Sequence, residues 1–202
     1  MDKKRLGSYM AIALCMTAMV LTGCGKDPQD SSKEEETAET QATEGETQEA
    51  EEQTGVFGAF SAYTQDGEEV TQEIFADADL TMVNIWGTFC GPCIQEMPAL
   101  AELSEEYAEK GLQIVGIVSD VMEPGGDAAQ EVIDATGADY MHMVLSEDLY
   151  RNFLWQVQAV PTTIFVDKDG NQVGSIVMGA REKEDWVTVI DEMLGEVADE
   201  AE

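Results

Sequence analysis

The chain has 202 residues, with 42 Asp and Glu against 10 Lys and Arg, a formal net charge of −32. That balance excludes nucleic acid as a partner, because phosphate binding needs clustered Lys and Arg. It also argues against docking on anionic lipid headgroups and reads as solvation and repulsion from surfaces.

The N-terminus carries Lys3, Lys4 and Arg5, then an apolar stretch from Leu6 to Val20. This is a charged n-region followed by an h-region too short to span a bilayer comfortably. It ends in Leu21-Thr22-Gly23-Cys24, which resembles the bacterial lipoprotein signal. The resemblance implies a signal peptide over 1–23, cut before Cys24, and a lipid on Cys24 that anchors the chain to the outer side of the bacterial cell membrane. Cys15 is then lost, and Cys90 and Cys93 are the only thiols left. The competing reading is an uncleaved anchor with an incidental cysteine.

Residues 24–55 comprise that cysteine and a run of Glu, Thr, Gln, Ser and Ala with almost no large apolar side chain. Such a segment cannot bury enough surface to offset its ordering entropy. It reads as a disordered acidic tether, kept extended by like charges. Residues 56–202 have the length of one domain with its own core.

Within that domain, Phe60–Tyr63 and Val70-Thr71 flank Asp66-Gly67 and predict a β-hairpin. Residues 74–78 predict a short helical turn. The apolar run Leu80–Gly87 predicts a buried strand, and a helix follows over 91–110, stopped by Gly111. Leu112–Val118 predicts a second strand buried on both faces. After Glu123-Pro124-Gly125-Gly126, Asp127 reads as the N-cap of a helix to about Thr136. Met141–Leu145 predicts a third strand and Glu147–Trp155 a short helix. Thr162–Val166 and Gln172–Val177 form a second hairpin around Asp167-Lys168-Asp169-Gly170. Arg181–Val197 predicts an amphipathic helix with Trp186, Val189, Ile190 and Met193 on one face. This order predicts an α/β fold: a central mixed sheet flanked by helices on both faces, with an added N-terminal hairpin.

The chemistry centres on Cys90-Gly91-Pro92-Cys93, directly behind the first buried strand. Two cysteines two residues apart cycle between dithiol and disulfide when the first sits at a helix N-terminus, where backbone N–H groups and the helix dipole stabilise the attacking thiolate. A strand feeding such a helix makes the spacing redox in character. A zinc site would need a second Cys/His pair, and His142 is the only histidine. No metal or cofactor is expected. His142, among Met141, Met143 and Val144, reads as structural.

The run from Val83 to Cys93, then Glu96-Met97-Pro98, Val160-Pro161-Thr162-Thr163, Asp167–Gly170 and Gly179 resemble the thioredoxin fold, and within it the membrane-tethered TlpA/ResA-like disulfide reductases. The resemblance covers about residues 57–195. It implies Cys90 as the attacking thiolate and Cys93 as the thiol that resolves the mixed disulfide. Pro161 is implied to be the cis-proline facing the cysteines, leaving the Val160 backbone free to pair with an extended substrate. Gly-Pro between the cysteines implies a reducing couple. Thioredoxins proper place a buried Asp where this chain has Asn84, so Glu96, on the face of Cys93, is the acid/base candidate. Trp86 is expected to flank and shield the site, contributing to substrate binding. Pro98 should kink its helix.

The implied activity is reduction of disulfides in partner proteins, with re-reduction by a membrane donor of the CcdA/DsbD type. Substrates in view are apocytochrome c cysteines, a methionine sulfoxide reductase or a peroxidase. Alternatives are a disulfide-forming oxidase or isomerase, and a non-catalytic lipoprotein binding module on the same fold. A peroxiredoxin would need Pro-x-x-x-Thr-x-x-Cys, which the residues before Cys90 do not supply.

Overall fold

Seven consecutive residues, Leu80–Trp86, have no exposure to solvent, and they form the central strand of a five-stranded sheet in the computed structural model, which describes residues 55–200. The signal peptide, Cys24 and nearly all of the tether lie outside the described residues. The sheet is built from β3 (Leu80–Trp86), β4 (Leu112–Val118), β5 (Met141–Val144), β6 (Thr162–Asp167) and β7 (Gln172–Met178) in the spatial order β5-β4-β3-β6-β7. β3, β4 and β5 run parallel, whereas β6 and β7 are antiparallel to their neighbours. β1 (Ser61–Tyr63) and β2 (Glu69–Thr71) pair as a separate hairpin.

The alternation of β3 divides the core. Leu80 and Met82 pack with Leu100, Leu103, Trp186 and Ile190 from α1 (Gly91–Tyr107) and α4 (Lys183–Glu200). Ala129 and Ile133 of α2 (Asp127–Thr136) join Trp86 and Met97 in a cluster on that same side. On the other face, Val83 and Ile85 pack with Phe57, Phe60 and Phe75, and with Leu149 of α3 (Glu147–Asn152). Helices thus flank both faces.

The added hairpin also covers the sheet's edge. The Gln65 N–H donates to the His142 carbonyl at 2.7 Å, and Thr64 bridges Met143. An edge strand otherwise presents unpaired backbone groups to other chains.

Several element boundaries differ from the sequence reading, among them the helix expected to Lys110, where α1 ends at Tyr107 and a 3-10 turn follows over Ala108–Lys110, and three further ones have local reasons. Gly126, with φ −66° and ψ 126°, occupies the N-cap of α2, and Asp127 already lies in the first turn. There its carboxylate still faces the favourable end of the helix dipole. The helix from Glu147 ends at Asn152, because Phe153 leaves helical geometry and its ring packs 4.8 Å from Phe57; a 3-10 turn at Leu154–Gln156 follows. α4 begins at Lys183, and the Arg181 N–H donates elsewhere, as described below.

Candidate functional site

The parallel strands β3 and β4 end side by side, and the polar chemistry gathers at those ends, as open α/β sheets dictate. β3 delivers the chain into Gly87-Thr88-Phe89, and Cys90 caps α1. Asp120, just past β4, accepts from the Thr88 N–H at 3.0 Å and from the Thr88 hydroxyl, fixing this loop. The Cys90 N–H donates to the Gly87 carbonyl at 3.0 Å.

Cys90 and Cys93 form a disulfide, with Cα atoms 5.3 Å apart. The Cys93 N–H donates to Cys90 Sγ at 3.2 Å. This donor, free because it lies in the first helical turn, favours a negative sulfur at position 90 once the pair is reduced. Pro92 lies in the same turn, where its missing N–H removes no helical bond. Cys93 has no exposure and Cys90 5%, with its flanking Phe89 at 75%. Cys90 is therefore the sulfur closer to solvent.

Cys90 Sγ also lies 3.6 Å from the carbonyl oxygen of Val160. The oxidised sulfur carries no proton, so this is a contact; the reduced thiol could donate along it. Val160-Pro161 is a cis peptide bond, and Pro161 is buried while Val160 is partly open. The two segments are 70 residues apart in sequence and meet at the sulfur. Beside them is a cavity of about 530 Å³ with Phe89, Tyr150, Leu154, Ala159 and Val160 in its wall.

Behind the cysteines, Glu96 is 3% exposed. Its Oε1 accepts from Asn84 Nδ2 at 3.1 Å; its Oε2 accepts from the Arg181 N–H at 3.1 Å and Trp186 Nε1 at 3.4 Å. Burial pushes the carboxyl above its ordinary value, and the donors from Arg181, Asn84 and Trp186 oppose it. Desolvation winning over hydrogen bonding makes a carboxyl hold its proton more readily, which suits it to proton exchange with a thiol. Asn84 Nδ2 also donates to Thr163 Oγ1 at 3.0 Å, tying Glu96 to β6.

Trp86 is fully buried and packs in one cluster with Cys90, Cys93, Met97 and Val118. It lies behind the disulfide and presents no surface to a partner. The exposed aromatic beside Cys90 is Phe89. Sequence reasoning did not single out Phe89, Asp120, Tyr150 or Arg181. Asp120 and Phe89 had a usable signal, since both follow the C-terminal ends of buried parallel strands. Arg181 contributes through its backbone N–H, which no side-chain pattern reveals. Among the described residues, no group of three or more His, Cys, Asp or Glu is placed to hold a metal ion.

The strand order, the helix-capping Cys-x-x-Cys pair and the opposed cis-proline define a thioredoxin-like fold. The profile of the family described as Redoxin matches residues 46–193, and the chain belongs to that family. It is 36% identical over 122 residues to a thiol-disulfide oxidoreductase ResA of Oceanobacillus iheyensis, covering 57% of this chain and 60% of that protein. A ResA of Geobacillus kaustophilus is 33% identical over 103 residues, covering 51% of this chain and 56% of its own. The chain thus spans less than two thirds of the length of these curated relatives. A crystal structure described as a thiol:disulfide interchange protein of the thioredoxin family from Chlorobium tepidum superposes with a TM-score of 0.58 at 25% identity, over 67% of this chain and 93% of that one.

Proposed function

We propose that the protein is a thiol-disulfide oxidoreductase that reduces disulfides in partner proteins. The observation that carries this reading is Cys90 Sγ at the N-cap of α1, 3.2 Å from the Cys93 N–H and 3.6 Å from the Val160 carbonyl. The name borne by the ResA relatives supports it.

The reduced Cys90 thiolate attacks one sulfur of a partner's disulfide, and the partner's other sulfur leaves as a thiolate and takes a proton. Cys93 then gives its proton to the Glu96 carboxylate and attacks Cys90 Sγ. The partner's second thiolate leaves, and two electrons have passed from the dithiol to the partner. The Val160 backbone aligns the extended substrate by main-chain pairing, while Trp86 shields the pair from behind. Lipid on Cys24 would tether the domain outside the cytoplasmic membrane, where a donor of the CcdA/DsbD type re-reduces it. The tether 24–55 gives it reach.

The activity is tested by insulin disulfide reduction with dithiothreitol as electron source. Wild type is expected to accelerate it and Cys90→Ser to abolish the acceleration. Equal rates for the two proteins would remove the enzymatic reading and favour a binding module. The anchor is tested by the mass of the mature N-terminus: a diacylated or triacylated Cys24 supports it, and an unmodified Cys24 would refute it.

A further inference from the structure

Trp86 and His142 form a buried pair that the thiol chemistry above does not use. The indole Nε1–H of Trp86 donates to His142 Nδ1 at 3.1 Å, and His142 Nε2 lies 2.9 Å from the Ala138 carbonyl oxygen. An indole N–H can only donate and a carbonyl can only accept. The ring is therefore neutral, with its proton on Nε2, and both nitrogens are satisfied. The two rings meet edge-to-face, with centroids 5.5 Å apart.

The sheet is shaped for this pair. Gly116 is opposite His142 on β5 and opposite Asn84 on β3, two residues before Trp86. A Cβ at Gly116 would lie 2.1 Å from His142 Nδ1 and 3.0 Å from Trp86 Nε1. Only the absence of a side chain on the intervening strand lets β3 and β5 reach each other.

The pair also connects to the reacting sulfur. Trp86 shares its packed cluster with Cys90 and Cys93. Its carbonyl accepts from both the Ser119 N–H and the Ser119 hydroxyl at 2.8 Å, and the next residue, Gly87, accepts from the Cys90 N–H. The indole thus packs against the cysteines, and its own backbone leads directly into the turn that sets Cys90 Sγ against the Cys93 N–H. We infer that His142 is a positioning residue for the cysteine pair: by holding the Trp86 indole through Nδ1 it fixes the Cys90 turn and so sets the reactivity of Cys90.

This inference rests on the redox reading of Cys90 and Cys93. Burial supports it by pushing the imidazole down to about 4, against the Ala138 hydrogen bond and the charges of Asp139 and Asp66, so the accepting form persists near neutral pH. The groups facing the ring are Asp66 from the hairpin turn, Asp139, and Tyr140, whose ring is 4.5 Å away.

The test uses the full 202-residue chain. Reduced wild type, His142→Leu, His142→Asn, Trp86→Phe and the Trp86→Phe/His142→Leu double variant are alkylated with iodoacetamide at pH 7. Modification of Cys90 is followed by fragment mass spectrometry, and the Trp86 indole N–H by NMR. His142→Leu is expected to slow Cys90 alkylation about fivefold and shift the indole resonance. His142→Asn, which keeps an acceptor near Nδ1, is expected to recover the rate to within about twofold. In the Trp86→Phe background, His142→Leu is expected to add no further slowing. A folded His142→Leu protein with wild-type Cys90 reactivity would overturn the inference, as would equal slowing in both backgrounds. Should His142→Leu not fold, Trp86→Phe alone must slow Cys90, and a wild-type rate overturns the inference. Wild type is also equilibrated with glutathione. Failure to reduce and reoxidise Cys90–Cys93 even with dithiothreitol overturns the redox reading and this inference with it, whereas a reversible couple leaves the variants to decide.

Discussion

Glu96 is a carboxylate held by three donors and still displaced upward by its burial. The sign of its effect on stability follows. A carboxyl whose folded value exceeds its unfolded value contributes stability in full below the unfolded value, and that contribution is lost as pH rises through the folded one. Wild type is therefore expected to lose stability relative to Glu96→Gln as pH rises above the ordinary carboxyl value of about 4, read from urea denaturation of both proteins with the disulfide intact. A constant gap would show that Glu96 does not titrate in that range. His142 gives a second window. Its folded value, about 4, lies below the ordinary 6.5, so the stability it contributes is complete above 6.5 and falls as pH drops towards 4. The fall amounts to about 3 kcal/mol at 1.36 kcal/mol per unit. His142→Asn is expected to lack this component in the same denaturation series.

At the scale of elements, β4 shows how one missing side chain governs its neighbours. Gly116→Ala is expected to cost about 1–3 kcal/mol, the usual penalty of overpacking a filled core, read as a lower urea midpoint at unchanged slope. Much of this level was legible in advance. The continuous apolar runs of β3 and β4 identified strands buried on both faces, and Gly111 stops the helical segment as expected, although α1 itself ends at Tyr107 and Ala108–Lys110 close it as a 3-10 turn. The misses came where tertiary contacts outweigh local preference. Phe153 leaves its helix to pack its ring against Phe57, and Arg181 gives its N–H to Glu96 ahead of α4. Neither partner is near in sequence. In the site, the cysteines, Glu96 and Pro161 were visible because their residue types are distinctive in that order. Phe89 was not, since whether an aromatic beside Cys90 points inward or outward depends on the loop that Asp120 holds. Trp86 was read as a flank and lies behind the cysteines, because it ends a strand whose inner face is covered by helices.

At the scale of the molecule, the first described segment, around Phe57 and Phe60, is part of the domain core. Phe57 has no exposure, and its ring packs 5.6 Å from Phe75 and 4.8 Å from Phe153. Phe57→Ala is expected to cost about 3–5 kcal/mol in urea denaturation. A loss below about 1 kcal/mol would show that the segment packs only loosely on the sheet. The hairpin that follows occupies an edge strand otherwise open to other chains, and a strongly acidic chain adds charge repulsion between copies.

Whether Cys90 and Cys93 form a reducing couple is read most directly from their reduction potential. It is read by equilibrating the protein with glutathione and, for lower potentials, dithiothreitol buffers at pH 7, with Cys90→Ser as the control. A potential near or below about −220 mV is expected, in the range of glutaredoxins and thioredoxin. A value near about −120 mV, that of a strong oxidant such as DsbA, would contradict it and make the protein a disulfide-forming oxidase.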